Sequence, residues 1–61
     1  MSYTIYAQNK SFPNETACFT LCSAESLESN KKFIRGRIAI MNRPYAKGHK
    51  PWKLVIEERK D

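Results

Sequence analysis

KKFIRGRIAIMNRP, residues 31–44, decides the fold. Five of its fourteen residues are cationic and none is acidic. It also holds Ile34, Ile38, Ile40 and Met41, which favour burial. Leu27 and Ile34 are seven apart and share a helical face. Ser26 stands at an N-cap position, and Glu28 falls in the first turn, where the helix dipole favours it. Gly36 is suited to end a helix. Beyond it, Ile38 and Ile40 alternate with Arg37, Ala39, Met41 and Arg43 at strand period. The spacing therefore predicts a helix over 26–35 and a strand over 37–43, stopped by Pro44. The rival is one continuous helix from 26 to 41. Ile34, Ile38 and Met41 support it, but a mid-helix glycine costs about 1 kcal/mol.

The flanking sequence extends this reading. Residues 3–9, rich in Tyr, Thr and Ile, predict a strand, and residues 16–23 a second one. Pro13 and Asn14 mark the turn between them, so the two form a hairpin. Residues 52–60 alternate Trp52, Leu54 and Ile56 against Lys53, Val55, Glu57 and Arg59, and pair with 37–43 as a second hairpin. The expected fold is α+β, order β-β-α-β-β, with one helix packed on a four-stranded antiparallel sheet. Residues 1–61 make a single small domain, which buries only about 60% of its unfolded surface. Phe19, Leu21, Leu27, Ile34, Ile38, Ile40, Leu54 and Ile56 form the expected core. The uncovered sheet face should carry Tyr6, Cys18, Cys22, Met41 and Val55 among Arg37, Arg43, Lys53 and Arg59. Such a face suits a nucleic acid strand, a protein partner, or a second copy of the chain as a homodimer.

Charge separates the two halves. Residues 1–30 hold one lysine against three glutamates, and residues 31–61 hold ten Lys or Arg against three acids, for +5 in all. A basic half points to an anionic partner, although charge also serves solubility. At 41% hydrophobic and 28% charged the composition is that of a globular chain, not a disordered one. No apolar run reaches the ~20 residues of a membrane span. The first ten residues do not read as a secretory signal, so the expected location is cytoplasmic.

Motifs for catalysis and metals are weak. Cys18 and Cys22 on one strand would lie about 13 Å apart, too far for a disulfide, and read as free thiols. His49 is the only histidine. Zinc would lack a regular ligand set, and no cofactor is expected. No base–nucleophile arrangement is visible around His49, so the chain is not expected to be an enzyme. Glu57 and Glu58 point to opposite faces of a strand. The most suggestive stretch is RPYAKGHKPWK, 43–53, where Arg43, Lys47, Lys50 and Lys53 sit among Tyr45 and Trp52. Cations contact phosphates and aromatic rings stack on bases. Trp52 reads more simply as the first core residue of its strand.

A strand running into SAESLESNKKF, then a short helix, a glycine and a hairpin, resembles several small phage-encoded proteins. Among them are anti-CRISPR proteins and a small phage inhibitor of bacterial RNA polymerase. The resemblance covers most of the chain as topology and implies a non-enzymatic inhibitor of a host protein or protein–nucleic-acid complex. It carries over no functional residue. The positive charge departs from inhibitors that imitate DNA with acidic surfaces. The expected binding residues are Arg35, Arg37, Arg43, Tyr45, Lys47, Lys50 and Lys53. Direct binding of DNA or RNA by the same residues is the alternative.

Overall fold

Tyr3, Ile5, Ala7 and Asn9 alternate with Thr4, Tyr6 and Gln8, and this alternation builds the centre of the protein. A computed structural model describes residues 2–45 and 48–59. Its elements are β1 (Ser2–Asn9), β2 (Thr16–Ser23), α1 (Leu27–Asn42) and β3 (Trp52–Arg59). β1 is the middle strand of a three-stranded sheet of order β2-β1-β3, antiparallel to both neighbours. β2 and β3 therefore run parallel at opposite edges, and α1 carries the chain across β1 between them. Asn9, nearly buried, ends β1. Its Oδ1 accepts the backbone N–H groups of Ser11 and Phe12 at 2.9 and 3.2 Å, which shapes the hairpin turn.

The expected fourth strand does not exist. Residues 37–42 continue the helix, so the β-β-α-β-β order is corrected to β-β-α-β, and Trp52–Arg59 pairs with β1 instead of with 37–43. The physical reason is the burial pattern. Ile34 and Ile38 lie one turn apart, both buried, with Leu27 and Met41 packed in line with them. A strand over 37–43 would have turned Ile38 and Met41 to opposite faces. Gly36 is thus mid-helix and exposed, not a C-cap, and its lost propensity is smaller than the burial gained by Ile38 and Met41. Ser26 occupies the N-cap position without a side-chain cap bond, and Glu28 in the first turn pairs with Lys31 at 3.0 Å.

The sheet faces are also redistributed. Ile5, Ala7, Cys22, Ile34 and Ile38 form the core, with Tyr3, Cys18, Leu27, Met41, Trp52 and Leu54 packed against it. Of the expected core, Phe19, Leu21, Ile40 and Ile56 are exposed. Ile40 follows from the helix, which turns it outward. Phe19 and Leu21 follow from a bulge in β2. Ile5 pairs with Thr20 and Ala7 with Ala17, so Cys18 and Phe19 together stand opposite Tyr6. Cys18 takes a left-handed φ of 62° to allow this. The extra residue turns Cys18 and Cys22 to the helix side and Phe19 to the open side, where its ring stacks on Tyr6 at 4.6 Å. The uncovered face therefore holds Tyr6 and Val55, as expected, but not Cys18, Cys22 or Met41, and Arg37 and Arg43 belong to the helix and its end. Among the described residues, no helix is long and apolar enough to cross a membrane.

Candidate functional site

α1 presents Arg35, Ala39 and Asn42 along one line, because residues four and three apart lie on the same side of a helix. That line faces the outer edge of β3. Between them opens a groove of about 580 Å³, floored by Ile38 and Leu54 and walled by Trp52 and Lys53. The connection after α1 closes one end with Arg43, Tyr45, His49 and Lys50, and Lys10 joins from the β1–β2 turn.

Two backbone devices hold this end in place. The Asn42 side chain bonds Trp52 through both its groups: Oδ1 accepts the Trp52 N–H at 3.1 Å, and Nδ2 donates to the Trp52 carbonyl at 3.3 Å. The end of the helix is thereby clamped to the start of β3. The Lys10 N–H donates to the Pro51 carbonyl at 2.7 Å, which brings the hairpin turn alongside. Gly48, at φ 88°, supplies a left-handed turn in the connection that other side chains resist. The Tyr45 and His49 rings lie against each other with centroids 5.7 Å apart.

Electrostatically the groove has one sign. Lys10, Arg35, Arg43, Lys50 and Lys53 line it, and among the described residues no carboxylate does. The one ion pair among the described residues, Lys31 with Glu28, lies elsewhere. Five cations around a largely apolar groove raise the local potential for anions. Arginine offers paired, directional donors here, and lysine a mobile point charge.

Of the residues singled out from sequence, the structure brings Arg35, Arg43, Tyr45, Lys50 and Lys53 together at this groove. Arg37 does not join them: it is exposed and lies about 200° around the helix from Arg35. Lys47 lies outside the described residues. Trp52 is half-buried and packs on the core, in keeping with the simpler reading of it, while also lining the groove. Lys10 and Asn42 were missed. Lys10 is distant in sequence, and only the pairing of β1 with β3 delivers it. Among the described residues no group of three or more His, Cys, Asp or Glu could hold a metal. No hydrogen bond there joins His49 to a carboxylate, hydroxyl or thiol. No protein-family model, curated protein or solved structure matches the chain.

Proposed function

We propose that this protein is a non-catalytic interaction protein that binds an anionic surface of a protein or protein–nucleic-acid complex in its basic groove, and modulates that complex. The observation that carries the reading is the convergence of five cations from the hairpin turn, the helix, the connection and β3 on one groove that no carboxylate among the described residues lines. A solvated charged face needs no such convergence. The target would be a host complex, as in the small phage inhibitors that the sequence resembles. That likeness has lost its closing hairpin, so the proposal rests on the groove. Tyr45, 41% exposed at the rim, is the aromatic anchor, and the arginines are the directional contacts.

A second reading, direct binding of a DNA or RNA strand, is favoured by one observation: Tyr45, His49 and Trp52 stand among the cations, as rings do where bases stack. The two readings separate by salt. Five phosphate contacts to a single strand would cost about a hundredfold in affinity between about 50 and 200 mM salt. Titration of the protein into fluorescently labelled single-stranded and duplex DNA and RNA at both salts makes the test. Micromolar binding with that steep loss establishes the nucleic-acid reading. No binding at the lower salt removes it and leaves the protein partner. In that case Tyr45→Ala should abolish capture of the partner, while single lysine truncations have small effects. Capture that survives Arg35→Glu combined with Arg43→Glu would remove the groove from either reading.

A further inference from the structure

The outer edge of β3 is an unfinished ladder. Trp52 turns both of its backbone groups outward, to the Asn42 amide. Pro51, one residue earlier, turns its carbonyl inward to Lys10. Successive residues of a strand alternate in this respect, so Lys53, Val55 and Glu57 bond β1, and Leu54, Ile56 and Glu58 point their N–H and C=O groups outward. No hydrogen bond among the described residues reaches those three outward rungs. The Asn42 amide fills the first rung as a peptide group would, and the next are open. β2, the other edge, is interrupted by its bulge at Cys18, a common protection of exposed edges. β3 has no bulge and no internal proline.

We propose that β3 pairs with β3 of a second copy of this chain, joining two sheets into one of six strands around a two-fold axis. The occupant is identified by the strand's own pattern. In antiparallel pairing centred on Val55, Leu54 of one copy bonds Ile56 of the other, and Ile56 bonds Leu54, giving four main-chain hydrogen bonds. On the open face Lys53 then stands opposite Glu57 of the second copy, twice by symmetry, at the close spacing of non-hydrogen-bonded pairs. Glu57 has a free oxygen for this, since only Oε1 takes the Tyr6 hydroxyl, at 2.6 Å. Ile56, 42% exposed in the single chain, gains Leu54 as its cover. The neighbouring registers fail. A slide by two residues one way sets Lys53 against Arg59. A slide the other way draws Trp52 into the ladder, where Asn42 already holds its rung.

An edge-to-edge contact is small, so the dimer is a weak one. Sedimentation equilibrium of the full chain, from about 10 μM to about 1 mM and with no ligand, tests it apart from any partner of the groove. The mass should rise from 7.1 kDa towards twice that value. Lys53→Glu should weaken association by about tenfold or more, and Lys53→Glu with Glu57→Lys should restore it. In the wild type, the Leu54 and Ile56 amides should exchange with solvent more slowly as concentration rises. A constant monomer mass, with Leu54 and Ile56 amides exchanging equally fast at every concentration, overturns the proposal. So does a dimer that Lys53→Glu leaves intact, since its contact would then lie elsewhere, for example on the open sheet face.

Discussion

Gly36 sits at the middle of α1 with open space around the position a β-carbon would take, since beyond the helix's own backbone and the adjoining residues no heavy atom lies within 4 Å of it. Its backbone is helical, so glycine brings only its entropic cost there. Gly36→Ala should therefore raise stability by about 1 kcal/mol, read as a higher urea midpoint with an unchanged slope. Tyr6 shows a different residue-scale effect. Its hydroxyl donates to Glu57, and that bond, burial and the nearby carboxylate charge together hold its pKa above the ordinary 10.0. The folded chain keeps this proton more tightly than the unfolded chain does. The stabilisation is complete below the ordinary value and is lost as pH rises through the folded one. Melting followed from about pH 9 to about pH 11 should show a fall that is shallower in Glu57→Gln, whose side chain carries no charge.

At the scale of elements, the β2 bulge governs which side chains reach the core. Cys18 holds a left-handed backbone that a branched side chain cannot share comfortably. Cys18→Val, a favourable change in an ordinary strand, should here cost about 1–2 kcal/mol by chemical denaturation. That single residue also explains why the strand was legible in sequence and its faces were not. Residues 16–23 announce a strand by composition, but alternation carried through Cys18 assigns Phe19 and Leu21 to the wrong side. A left-handed cysteine has no sequence signal comparable to glycine. The helix failed in another way. Arg37 to Met41 fits both periods, and the choice depends on Ile34 and Met41 packing against a sheet that the local pattern does not contain. The lining of the candidate groove was more legible than the sheet, because an unpaired cation in sequence remains an unpaired cation on the surface. Arg37 was misplaced by the strand reading, since only a helix separates it from Arg35. Lys10 and Asn42 act through backbone partners more than forty and ten residues away, and no local pattern marks them.

At the scale of the whole molecule, one helix covers one side of three strands, and the chain measures 39 × 22 × 14 Å. So thin a body has a core of few side chains, and much of its stability rests on Ile5, Ile34 and Ile38. It also has more edge and face than it can hide, which gives a small protein several surfaces for partners. The basic groove and the β3 edge share a wall, so a ligand in one and a second copy at the other would meet at Lys53. Their linkage would appear as a groove affinity that changes with protein concentration.

The two free thiols carry a further consequence. Cys22 is buried and Cys18 half-buried, both beneath α1 on the helix side of β2. With so little of Cys22 exposed, a reagent in solution reaches its sulfur chiefly while the helix stands away from the sheet. The rate at which that sulfur is modified then reports how often, and for how long, the helix lifts: it follows the open population when reagent is scarce and the opening rate itself when reagent is in excess.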